Sequence, residues 1–81
     1  MEYTTEQVGR IFELMDIVME HATGKYADYA KTYADATFEA YIVYGDFGIE
    51  KQIPYVLANL GGWRGELATK TKKELRSFGN W

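Results

Sequence analysis

Side chains able to do chemistry gather in a few places along the chain. Glu13, Asp16 and Glu20 recur at three- and four-residue spacing and so share one face of a helix. Carboxylates placed this way can hold a divalent cation or lie against a basic protein surface. Metal sites in helical bundles complete such a set with histidines from facing helices, and the one histidine, His21, stands on the polar side near that helix's end. No metal site is expected, and the three acids read as a solvated face or as a face for a basic partner. His21 has neither a nucleophile nor an orienting group beside it in the pattern, so it does not read as a general base. A histidine at a helix C-terminus suits the helix dipole instead.

The stretch Leu60-Gly61-Gly62-Trp63-Arg64-Gly65-Glu66 is the second such place. Its glycines let the backbone turn freely into a following helix, whose first amides suit phosphate or carboxylate. Arg64 can add a bidentate fork, and Trp63 can stack on a base or anchor a partner. The glycine spacing matches neither the dinucleotide fingerprint nor the P-loop. The plainer account is a helix–helix corner with Trp63 packed inside and Arg64 in solvent. Asp46-Phe47-Gly48 spells the kinase metal-binding triplet, but 81 residues cannot hold a kinase, and the triplet reads as a turn with an anchored aromatic. With no nucleophile–base pair and no metal cluster to nominate, the chain is expected not to be an enzyme and to need no cofactor. Candidate ligand- or partner-binding residues are Trp63, Arg64, Tyr26, Tyr33, Lys73 and Arg76.

Eighty-one residues make one domain, here 1–81, with a small core and a stability of only a few kcal/mol. The absence of cysteine removes disulfides, thiolate metal sites and a cysteine nucleophile. Hydrophobic residues at 47% and aromatics at 16% argue against disorder. No apolar run is long enough to span a bilayer, and Met1-Glu2-Tyr3-Thr4 lacks a basic start and an apolar signal core, so a cytoplasmic protein is expected. Residues 1–50 hold ten acids and three bases, a net −7, and residues 51–81 hold six bases and two acids, a net +4, giving −3 for the chain. An acidic front and a basic tail are expected to complement each other as the chain folds back. The overall acidity disfavours direct nucleic-acid binding by Lys70, Lys72, Lys73 and Arg76.

The elements that must position these groups are helical. A capping box, Thr4 with Gln7, opens a first helix with Val8, Ile11, Phe12, Met15, Val18, Met19 and Ala22 on one face, and Gly24 is placed to end it as a left-handed cap. Ile17 sits alone on the polar side. A second helix runs from about 25 to 44, because Asp28, Lys31, Thr32, Asp35 and Glu39 collect on one face. Its apolar surface has two halves, one with Tyr26, Tyr29, Tyr33, Thr37, Ala40 and Tyr44, the other with Ala27, Ala30, Ala34, Phe38 and Tyr41. Two halves imply two neighbours, one of them expected from another copy. Residues 45–48 read as a turn, with a strand pair there as the competing reading. A short third helix follows with Pro54 near its first position and Gly61 past its end, and a fourth runs from about 66 to 78 on a stripe of Leu67, Ala68, Thr71, Leu75 and Phe78. The expected fold is all-α, three to four short helices in a small bundle completed by homo-oligomerisation.

The Leu60–Glu66 stretch followed by a basic amphipathic helix resembles the ends of short phage-encoded proteins. Small size, acidity, aromatic richness and lack of cysteine are similar to phage accessory and anti-defence proteins as a type. The resemblance implies a protein that blocks a host component or captures a nucleotide signal, and it carries no site residue with it. Three functions follow as expectations: occupation of a host protein's surface, an oligomeric sponge for a nucleotide or other phosphorylated signal, and a structural or assembly module.

Overall fold

The computed structural model describes residues 2–79 and 81. Four helices appear among the described residues: α1 (Thr5–His21), α2 (Ala27–Tyr44), α3 (Asp46–Ala58) and α4 (Glu66–Arg76). No strand appears among them, so the strand pair around residues 45–48 is set aside. The Thr4–Gln7 capping box forms in both directions, each side chain accepting from the other residue's amide.

The core takes Ile11, Leu14, Met15 and Val18 from α1, the alanine half of α2, Ile49, Ile53 and Val56 from α3, and Ala68, Thr71 and Leu75 from α4. Both halves of α2 find neighbours within the chain. On one side Phe12 of α1 meets Phe38 and Tyr41, with ring centroids 4.8 and 5.6 Å apart; on the other lies α3. The accessible surface of 5094 Å² matches the roughly 5,000 Å² expected of a lone folded chain of this mass. The inner side of α2 is thus covered within one copy, while Tyr26, Tyr29 and Tyr44 of its tyrosine half stay exposed; homo-oligomerisation is not shown.

Gly45 alone joins α2 to α3, at φ 65° and ψ −142°, and α3 begins at once where a four-residue turn was expected. Pro54 is the ninth residue of α3 rather than an early one. A proline in a helix interior costs about 3 kcal/mol. Complete burial of Ile49, Ile53 and Val56 contributes roughly 1.5–3 kcal/mol each, which outweighs it. Further on, α3 and α2 approach so closely that a Cβ on Gly48 would lie 2.2 Å from the Ala40 carbonyl oxygen.

Other expectations shift for local reasons. Ala22, in extended backbone, ends α1, and Gly24 at φ 109° serves instead to let the Gly62 backbone lie against it. Leu14 is fully buried and Ile17 packs on the core, because α4 covers a second side of α1. The third helix is capped by Asn59, not by Gly61. Leu67 is exposed and α4 stops at Arg76, leaving Phe78 in a turn edge-on to Tyr3. Lys72 leaves the outer face of α4: its ammonium donates to the Leu60 and Trp63 carbonyls at 3.1 and 2.8 Å and ties down the loop before α4. The ion pair joining α1 to α4 has the reverse of the expected polarity, with Arg10 from the acidic half forking onto Glu74 from the basic half. That hydrogen-bonded guanidinium holds the Glu74 carboxyl below its ordinary range.

Tyr3 fastens the chain's start to both α3 and the tail. Its amide donates to an Asp46 carboxylate oxygen and its hydroxyl to the Phe78 carbonyl, both at 2.9 Å. Burial, then the nearby Glu50 and Asp46 carboxylates, push its phenol up to about 12.

Two outcomes follow from these contacts. Gly48→Ala is expected to cost about 3 kcal/mol or more, because helix backbones must part. Gly9→Ala, on an open face of α1 with no atom near the new methyl, is expected to add about 0.5–1 kcal/mol. Urea unfolding measures both, and equal effects would refute the close α2–α3 approach. The raised Tyr3 value makes the folded state hold its proton where the unfolded chain, at about 10, has lost it. Its contribution to stability is thus complete below pH 10 and is lost as pH climbs through about 12. Subtracting the alkaline absorbance titration of Tyr3→Phe from that of the wild type should leave one component centred near pH 12.

Candidate interaction surface

The close α2–α3 pair decides where large side chains go. Tyr29, Tyr33, Ala36, Ala40 and Val43 follow one another at alternating four- and three-residue steps, the rhythm that lays a seam along one side of a helix. Tyr29, Ala36 and Val43 are exposed on this seam, while Tyr33 and Ala40 are half-buried. Beside it, Phe47, Lys51 and Tyr55 stand four residues apart on α3 and are all exposed. The Tyr33 and Tyr55 rings stack across the joint, with centroids 5.2 Å apart and planes 20° apart. The Lys51 ammonium lies 5.1 Å from the Phe47 ring centre.

At the α2–α3 corner the apolar surface wraps around the chain. Ile42 is 81% exposed, Val43 61%, Tyr44 67% and Phe47 57%. Successive helix positions point about 100° apart, so Ile42, Val43 and Tyr44 cover three sides of the last turn of α2. Phe47 is therefore no anchored aromatic: in the Asp46-Phe47-Gly48 triplet, Asp46 holds the Tyr3 amide, Gly48 makes the helix contact and the ring faces out. Isolated exposed apolar side chains are ordinary; here four stand together at one corner.

The residues expected to bind a ligand do not converge. Trp63 is 4% exposed, so its ring offers no stacking face, and it packs in the core as the plainer account held. Arg64 is exposed nearby. The Gly24–Gly62 backbone contact brings the Lys25–Tyr26 loop to the same end, where the Lys25 ammonium lies 5.5 Å from the Tyr26 ring centre. Tyr33 belongs to the α2–α3 joint instead. Lys73 and Arg76 lie in the last turn of α4. Lys70, Lys73, Glu74 and Ser77 line a shallow depression of about 390 Å³.

On α1 the three acids are exposed, as a shared face requires. Glu13 pairs with Arg10 at 3.2 Å, and Glu20 stands 3.7 Å from His21. Among the described residues, no group of three or more histidines and acids is arranged to hold a metal ion. No described helix is long and apolar enough to cross a membrane.

Ile42, Val43, Phe47, Lys51 and Tyr55 were not singled out as binding residues from the sequence. A signal was present: three consecutive large apolar residues close a helix that has no basic residue in its last turn. No family model matches the chain, and neither a curated protein nor a solved structure matches it.

With Trp81→Phe, Trp63 becomes the one tryptophan. Its emission should be blue-shifted, weakly quenched by acrylamide and unchanged by millimolar nucleotides, since the ring is buried. Red-shifted emission, or quenching on nucleotide addition, would place the ring at a binding site after all.

Proposed function

We propose that the chain is a non-enzymatic binding protein that occupies another protein's surface through the α2–α3 corner. The observation that carries this reading is the contiguous exposure of Ile42, Val43, Tyr44 and Phe47 at one corner. Aromatic and aliphatic anchors of this kind supply most of the free energy at protein interfaces when a partner pocket takes them out of water. The acids Glu13, Asp16 and Glu20 lie on a different helix and serve as a secondary, steering face for a basic partner. The resemblance in size, acidity and aromatic content to phage accessory proteins makes a host protein the fitting target and the host cytoplasm the fitting place.

A nucleotide sponge is the weaker reading. It retains Lys25, Tyr26 and Arg64 at one end of the molecule, but Trp63 is withdrawn and Lys72 is engaged with the backbone.

The test uses a photoreactive phenylalanine analogue placed singly at Tyr44, Phe47 or Asp16, irradiated in host-cell lysate. One partner protein should be linked from Tyr44 and Phe47 at least about tenfold more efficiently than from Asp16, because anchors lie at the centre of an interface. Linkage from Asp16 alone would move the working surface to α1 and defeat the proposal.

A further inference from the structure

The α2–α3 face also carries the means to pair with itself. The Gly48–Ala40 contact and the Tyr55–Tyr33 stack show α3 running back along α2, so Lys51 sits level with the stretch between Ala40 and Tyr33. On the α2 side, residues 32–44 contain the acids Asp35 and Glu39 and no base, and Glu39 is exposed next to the seam. On the α3 side, the outward ridge Phe47–Lys51–Tyr55 carries a positive charge between two rings.

We infer that this face is a self-association surface, closed by a second copy of the chain whose α2 lies over this copy's α3. A two-fold axis running along the hairpin keeps every residue at its own level and exchanges the two helices. Lys51 then faces Glu39 of the second copy, and Glu39 faces the second copy's Lys51, so one favourable pair is made twice. The small residues Ala36 and Ala40 leave a hollow in the seam at that level, into which the ridge fits. The area also suffices. Tyr29, Val43, Tyr44, Phe47 and Tyr55 are 54–67% exposed, which leaves on the order of 600 Å² open. A stable pair needs roughly 800 Å² from each partner. The polar side chains around the seam supply the remainder.

This inference rests on reading the α2–α3 face as a binding surface, and it names the occupant taken when no other protein is present. Sedimentation equilibrium at low salt, from about 1 to 300 µM, tests it on the full chain and on Lys51→Glu, Glu39→Lys and the exchanged pair Lys51→Glu/Glu39→Lys. Both side chains are exposed, so the folds should be retained, which circular dichroism checks. The wild type should reach twice the 9.3 kDa chain mass. Each single reversal should weaken pairing by about tenfold or more, since symmetry repeats the repulsion, and the exchanged pair should recover to within about threefold. A wild type that stays at 9.3 kDa throughout overturns the inference, as do reversals that change nothing or an exchange that fails to restore pairing. A single-copy chain that still links a host protein from Tyr44 or Phe47 would remove self-pairing alone. Loss of that linkage too would remove the reading of the face itself.

Discussion

The backbone contact between Gly48 and the Ala40 carbonyl decides more about this molecule than any other. Helices that touch through a glycine and an alanine lie too close for a large side chain to sit between them, so the joint is built from small residues and bulk must leave it. Ala27, Ala30, Ala34 and Thr37 fill the inner side of α2, with Ile49, Ile53 and Val56 beneath. Tyr33 and Tyr55 are pushed to the rim, where their rings stack. Phe47, one residue before the contact, is turned outward by the same geometry. A single packing choice thus produces both the tight hairpin and the aromatic surface it displays.

At the other end of the molecule a second backbone contact, Gly24 on Gly62, presses the α1–α2 loop against the α3–α4 loop. Trp63 goes inside there, and Lys72 reaches back to the Leu60 and Trp63 carbonyls, the first of which also accepts from the Trp63 amide. A buried carbonyl without a donor is costly, and an ammonium spans two at once. The loop that looks most like an anion site in the sequence is therefore held by a cation of its own chain, which draws that charge away from any ligand. The two ends are built alike, by glycine contact, but to opposite effect: one encloses its aromatic and the other expels it.

Much of the architecture was legible because it depends on local rules. The capping box, the periodicity of Val8, Ile11, Met15 and Val18, and the alanine rhythm of α2 all act within one or two helical turns. What escaped notice depends on contacts across the chain. Nothing near Gly45 announces a one-residue corner, and the prolonged helix through Pro54 is favoured by burial of residues whose neighbours lie on other helices. Charge totals by halves pointed to complementarity, yet the pair that joins α1 to α4 runs against both totals, because Arg10 and Glu74 are placed by helix packing and not by average composition. The exposed corner was hard to see for a related reason. An apolar triplet such as Ile42-Val43-Tyr44 reads as core until it is known that the neighbouring helices pack on other sides of α2 and leave all three exposed.

That exposure has an energetic meaning. Side chains that stay in water contribute nothing to the folding of a small domain, and exposed apolar residues carry a risk of association with any similar surface. A chain this short gains little stability to spare, so four such residues around one corner are a stability opportunity left unused. Replacing Ile42, Val43, Tyr44 and Phe47 by charged residues would leave Ile49, Ile53 and the alanine contacts in place. The corner is thus separable from the core, which is the property expected of residues whose free energy is released only on binding. Asp28, Lys31, Asp35 and Glu39 fit the same picture, since they keep the helix face beside the exposed seam solvated.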